Sequence, residues 1–222
     1  MHHNRVNPRP IGGRKKASGG GQCEGIKRDI IVIGASAGGV QALQQICADF
    51  PADMRAAIGV VLHRGSQPSK LAQVLDRRST LPVVEPKHAM TLSPGTIYLS
   101  PADHHLLFQR GSVAIQRGPW EHSTRPAVDP LFRSAAESYG RRVVGLLLTG
   151  CGEDGVSGLI AITEAGGLTL AQDPEEAYMP YMPLNAIRFD EVAGLVSLND
   201  AASVLASLAN GDHMRTRMTA GR

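Results

Sequence analysis

Aromatic side chains are scarce in this 222-residue chain: four phenylalanines, four tyrosines and one tryptophan. So few rings provide no stacking platform for bases and leave the core to Val, Ile, Leu and Ala, as in α/β proteins. Cysteine is scarcer still. Cys23, Cys47 and Cys151 are odd in number and show no Cys-x-x-Cys spacing, which argues against a disulfide framework or a zinc site and fits a reducing cytoplasm. No apolar run is long enough to span a bilayer, and the polar, glycine-rich N-terminus lacks the apolar centre of a secretory signal. Charge of one sign is also missing from the body. The net +3 comes from the first 28 residues, which carry +6 and leave −3 for the rest, so a nucleic-acid footprint over the folded part is not expected.

What is present is an alternation of apolar runs and helical patterns. Residues 1–28 hold Pro8, Pro10, the Arg14-Lys15-Lys16 run and Gly19-Gly20-Gly21, the composition of a flexible basic tail. From residue 29 to 208 the chain reads as one domain, and 209–222 as a short polar tail. Ile30 to Ile33 predicts a buried strand that ends in glycines before a helix from Val40 to Asp49. A second strand from Ile58 to Leu62 precedes a helix from Pro68 to Arg77, which implies a β-α-β crossover. Short strands follow at Leu81 to Val84, Thr96 to Leu99, His105 to Phe108 and Val113 to Gln116, the last two as an antiparallel hairpin. Helices then begin at Asp129, Gly155, Pro183 and Asp200, with strands at Val143 to Leu148, Leu168 to Ala171 and Val192 to Val196. The expected fold is α/β: an open, doubly wound, mostly parallel, Rossmann-like sheet with an antiparallel hairpin.

Gly34-Ala35-Ser36-Ala37-Gly38 fits Gly-x-Ser-x-Gly between a strand and a helix, where small residues permit a sharp turn that projects a serine hydroxyl. With Gly39 the same run also resembles a dinucleotide fingerprint whose middle glycine is replaced, so a phosphate cradle is the competing reading. Two other strands end in polar groups, Leu62 running into His63 and Leu148 into Thr149-Gly150-Cys151-Gly152-Glu153-Asp154. Parallel strands deliver their carboxyl ends to one edge of the sheet, so Ser36, His63 and Asp154 can converge as nucleophile, general base and orienting carboxylate. Their order along the chain differs from that of α/β-hydrolases. Taken singly, His63 could be an ordinary strand-end histidine and Asp154 a helix cap, the role that Asp129 and Asp173, each before a proline, suggest for themselves.

Five blocks now stand in order: Ile33 to Gly39, the strand into His63, Ile97-Tyr98-Leu99-Ser100-Pro101-Ala102-Asp103-His104-His105-Leu106, Arg125-Pro126-Ala127-Val128-Asp129-Pro130-Leu131-Phe132, and Leu148 to Gly155. In these the chain resembles the catalytic domain of CheB-type chemotaxis protein-glutamate methylesterases, from about Asp29 to Leu208. The resemblance implies hydrolysis of glutamate γ-methyl esters on the cytoplasmic helices of chemoreceptors, and deamidation of receptor glutamines in many members. It assigns Ser36 as nucleophile, His63 as base and Asp154 as third member, requires no metal or organic cofactor, and touches the membrane only through the receptor. Backbone N–H groups of Ala37 and Cys151 are the candidate oxyanion donors, and Tyr181 and Met182 the candidate groove residues.

Four departures accompany the resemblance. Cys151 stands where the family usually has methionine, and Tyr181 replaces the glycine of a common Gly-Met-Pro. The loop from Glu85 to Met90, with His88 read as an exposed loop residue, lacks a frequent Asp-Gly turn. The 28 residues ahead of the domain are too few for the receiver domain many members carry. His105, Arg125 and Asp129 are expected in structural or substrate-facing places. Three other readings stand beside the esterase: an inactive CheB-like adaptor; a nucleotide-binding protein, for which His63 occupies the position where an acidic ribose partner belongs; and a serine protease or lipase, since a triad alone does not name its substrate.

Overall fold

A computed structural model of the chain describes residues 25–212; 1–24 and 213–222, with most of the two expected tails, lie outside the described residues. The chain opens with β1 (Ile30–Ala35), α1 (Gly39–Asp49), β2 (Ala57–Leu62), α2 (Leu71–Asp76) and β3 (Val83–Val84). Next come β4 (Met90–Thr91), β5 (Thr96–Leu99), β6 (His105–Gln109) and β7 (Ser112–Gln116). The second half runs α3 (Val128–Tyr139), β8 (Val143–Leu147), α4 (Val156–Glu164), β9 (Leu168–Gln172), α5 (Tyr181–Phe189), β10 (Gly194–Val196) and α6 (Leu198–Asn210).

Seven strands form a parallel sheet in the order β10-β9-β8-β1-β2-β5-β3. The β-branched runs read as buried strands lie at its centre, covered on both faces, which is why they are continuously apolar. Alternate residues of β1 part company: Ile31 and Ile33 join Leu43, Ile46 and Leu205 of α1 and α6 on one face, whereas Ile30 and Val32 join Leu131, Phe132, Leu159 and Ile162 of α3 and α4 on the other. Each such side chain, fully buried, contributes about 1.5–3 kcal/mol. The sheet is thus open, mostly parallel and doubly wound.

A small antiparallel sheet, β4-β7-β6, packs on the α3 side and places the Phe108 ring edge-on to Tyr98, 5.9 Å between centroids. Its β6–β7 hairpin closes through Arg110-Gly111, with Gly111 at φ 73, as the sequence suggested. Strand β4 has only two residues and carries no periodic signal of its own; the ladder to Val113 and Ser112 defines it. Helix α2 starts at Leu71 rather than Pro68, and α5 is longer than expected because Pro180 and Pro183 fall at its start, where a missing N–H costs nothing. Among the described residues no helix is long and apolar enough to cross a membrane.

Candidate active site

Three adjacent central strands, β8, β1 and β2, end at the same edge. Their register pairs Ala35 with Leu62 and Gly34 with Leu147. The ladder continues one step further: Ser36 N–H donates to the Thr149 carbonyl (2.9 Å), and His63 N–H donates to the Ala35 carbonyl (3.0 Å). Ser36 then begins the turn into α1, closed by the Gly39 N–H on the Ser36 carbonyl (2.9 Å), with Gly38 at φ 79. The glycines around Ser36 are accounted for by protein contacts. A Cβ at Gly38 would lie 2.7 Å from Tyr178 Cβ, and one at Gly39 2.5 Å from Leu62 Cδ1. The close approach that a phosphate cradle needs is therefore filled by side chains.

His63 Nε2 meets Asp154 Oδ2 at 2.6 Å, the imidazole slightly exposed and the carboxylate buried. Asp154 also accepts from the backbone N–H of Val128 (Oδ2, 2.6 Å) and Asp129 (Oδ1, 3.0 Å). Burial on its own raises this carboxyl's pKa. The hydrogen bond from His63, the N–H of Val128, the charge of His63 and the N–H of Asp129 outweigh burial and hold the carboxyl below its ordinary value. Because Nε2 is taken by Asp154, Nδ1 is the ring nitrogen left for a substrate or nucleophile. Ser36 stands next to His63 across the β1–β2 pair, but its hydroxyl makes no hydrogen bond to the imidazole among the described residues. Such contacts often tighten only when substrate binds.

Capping departs from the sequence reading. Asp129 does not cap its own helix: α3 has Ala127 as N-cap, and Asp129 Oδ1 accepts from Gly155 N–H (3.1 Å) and Gly158 N–H (2.7 Å) at the start of α4. Asp154, just before α4, serves the first turn of α3 instead. Each helix start is therefore held by the carboxylate next to the other. Asp173 accepts from Glu175 N–H (3.0 Å) within a turn, and no helix follows it directly. Burial, then the charge of Asp154, raises the pKa of Asp129, against the opposing Gly158 N–H, His122 and Arg133.

The oxyanion candidates, Ala37 and Cys151, are both exposed, and among the described residues their N–H groups donate to no protein acceptor. Thr149, which the motif reading passed over, organises the surroundings. Its hydroxyl donates to the Ala37 carbonyl (2.9 Å) and accepts from Met179 N–H (2.9 Å), while its own N–H donates to Gln172 Oε1 (2.8 Å). Tyr181 is 57% exposed beside the site, and Tyr178, also unforeseen, is 77% exposed over Gly38. Met182 is 0% exposed, contrary to a groove position: its N–H donates to the Gly150 carbonyl (3.0 Å) and its side chain packs under Gly150. Cys47 is a core thiol whose pKa burial pushes up to about 12.

Arg125 and His105 are structural. Arg125 binds Asp103 Oδ1 through Nε (2.9 Å) and Nη2 (2.5 Å) and donates to the Gly118 carbonyl; buried His105 donates from Nε2 to the Pro119 carbonyl and accepts Ala127 N–H on Nδ1. His88 is exposed, as read. A second imidazole–carboxylate pair was not foreseen: His122 Nε2 meets Asp129 Oδ2 at 2.9 Å. His122 (φ 49) and Ser123 (φ 59) form the tip of a turn closed by Glu121 and Thr124, a left-handed pair without glycine, asparagine or aspartate to signal it. Among the described residues His122, Asp129 and Asp154 are the only group with metal-ligand atoms all within 4.8 Å of one another. The four carboxylate oxygens already accept from backbone N–H groups or imidazoles.

Comparison with known proteins adds three findings. The profile described as CheB methylesterase matches residues 31–205. A protein-glutamate methylesterase/protein-glutamine glutaminase 2 of Anaeromyxobacter dehalogenans is 38% identical over 181 residues, covering 81% of this chain and 53% of that protein. One from Trichodesmium erythraeum, named protein-glutamate methylesterase/protein-glutamine glutaminase, is 39% identical, covering 78% and 51%. The chain spans about half the length of these curated relatives. The crystal structure of the Thermotoga maritima CheB methylesterase catalytic domain superposes with a TM-score of 0.76 at 32% identity, covering 82% of this chain and all of that one.

Proposed function

Since the chain belongs to the CheB methylesterase family, we propose that it hydrolyses γ-methyl esters of glutamate side chains on a protein substrate, using Ser36, His63 and Asp154. The observation that carries this reading is the 2.6 Å His63–Asp154 pair at the strand end next to Ser36. Asp154 fixes the imidazole through Nε2, and His63 Nδ1 accepts the Ser36 proton as Oγ attacks the ester carbonyl. The N–H groups of Ala37 and Cys151 stabilise the oxyanion, each worth on the order of 10²-fold in rate. The imidazolium returns the proton to the departing methoxide, methanol leaves, and an acyl-serine remains. Water, deprotonated by His63, then releases the glutamate carboxylate and restores Ser36. An amide in the ester's place loses ammonia by the same steps, which is the deamidation of glutamine that the relatives' names include.

The substrate proposed is a methylated chemoreceptor, whose modified helices lie in the cytoplasm; the same location follows for this protein. The test is methanol release from methyl-esterified receptor cytoplasmic fragments by the wild type and by Ser36→Ala. Release by the wild type that falls about 10³-fold or more in the variant supports both reaction and nucleophile. If the wild type releases none, the esterase reading fails for these substrates and a binding role takes its place.

A further inference from the structure

Behind the His63–Asp154 pair stands His122–Asp129, which the proposed chemistry does not use. Both carboxylates are buried, and the two approach within 4.8 Å. Asp129 Oδ1 is occupied by the N–H groups of Gly155 and Gly158. Its Oδ2 is met by His122 Nε2 at 2.9 Å and, more distantly, by Arg133 Nη1 at 3.8 Å. Arg133 is itself engaged with Glu121, through Nη2 at 2.8 and 2.7 Å. The turn that carries His122 holds two consecutive non-glycine residues in left-handed backbone and is fastened at both ends, by Glu121 to Arg133 and by Arg125 to Asp103. Strain maintained by its surroundings commonly marks a placed side chain.

We propose that His122 is a positioning residue for the hydrolysis: its Nε2–H keeps Asp129 a carboxylate, so that Asp154 serves His63 alone. The inference rests on the triad reading above. Without that donor, two buried carboxylates this close relieve their repulsion by sharing a proton. Asp129 Oδ2–H then donates to Asp154 and draws it from His63. The charged and titratable groups facing the pair are Arg133 on α3, Glu121 on the turn and Asp154 just before α4, with His63 after β2 reached through Asp154. On β6, His105 is spent on Pro119 and Ala127, and α4 offers only backbone N–H groups. Asp129 is the carboxylate expected to take the proton first: its Oδ2 is met only by His122 and the distant Arg133, and burial, then the charge of Asp154, raises its pKa.

The test is the pH profile of methanol release for the wild type, H122A and H122Q, with infrared spectra of buried carboxyl groups in the same proteins and in H122A/D129N. His122 is partly exposed, so these substitutions leave the core untouched. H122A loses rate most steeply on the acid side, its acid limb displaced upward by about half a pH unit or more. H122Q, which retains a side-chain N–H, falls between. A protonated-carboxyl band appears in H122A at about pH 6 and vanishes in H122A/D129N. A loss uniform across pH, or no such band, overturns the proposal. If the wild type releases no methanol, the esterase reading fails separately, and the infrared band alone decides whether His122 keeps Asp129 ionised.

Discussion

At Gly150 one added carbon would lie 2.1 Å from Met182 Sδ and 2.7 Å from Ser36 Cβ. The backbone on either side is pinned, with Gly150 N–H on the Met179 carbonyl and Met182 N–H on the Gly150 carbonyl, so the loop cannot retreat without breaking both bonds. Gly150→Ala is therefore expected to lower methanol release by about tenfold or more and to cost roughly 1–3 kcal/mol in urea unfolding. Wild-type behaviour in both assays would mean that Met182 moves aside freely. That Ser36, His63 and Asp154 come to one end of the sheet was readable in the sequence because each follows an apolar run that fixes where its strand ends. Thr149, Gly150 and His122 were not, since their roles depend on which distant atoms they meet. A threonine hydroxyl that joins the Ala37 carbonyl to Met179 leaves no local pattern.

Between elements, the reciprocal capping of α3 and α4 carries both stability and orientation. Asp154→Ala removes the partner of His63 and strands the N–H groups of Val128 and Asp129, for an expected cost of about 2–4 kcal/mol and a rate loss on the order of 10⁴-fold. The pH dependence has a definite sign. Asp154 has a depressed folded-state pKa, so its stabilisation is complete above the unfolded value of about 3.9 and is lost as pH falls through the lower folded value. Urea unfolding should show the full gap between wild type and variant at about pH 7 and a smaller one below about pH 3; a gap independent of pH would assign the stability to packing. Helix and strand positions followed closely from periodicity and less closely from proline placement, since α2 starts at Leu71 and α5 at Tyr181. Capping did not, because a propensity rule assigns an aspartate before a proline to its own helix, and here tertiary approach reverses the assignment.

For the whole molecule, the doubly wound sheet was legible in the alternation of apolar runs with amphipathic segments. The lateral order was not. Nothing local places β5 between β2 and β3, or puts the two-residue β4 beside β7. That lateral order sets Ser36, at the end of β1, between the strand that runs into His63 and the strand whose following loop carries Asp154, since β1 lies between β2 and β8. The glycine-rich loop after β8 must therefore reach across the end of β1 for Asp154 to touch His63. The functional groups thus hang from the strands with neighbours on both sides, away from the sheet's edges. Amide protons on these strands, such as those of Ile33, Val60 and Leu146, should exchange with deuterium only through global unfolding, and those of edge strands β3 and β10 through cheaper local openings. Faster exchange in β1 than in β10 would contradict this. The site's alignment would then persist for as long as the molecule stays folded, and heat or denaturant would erase activity and protection in β1 together.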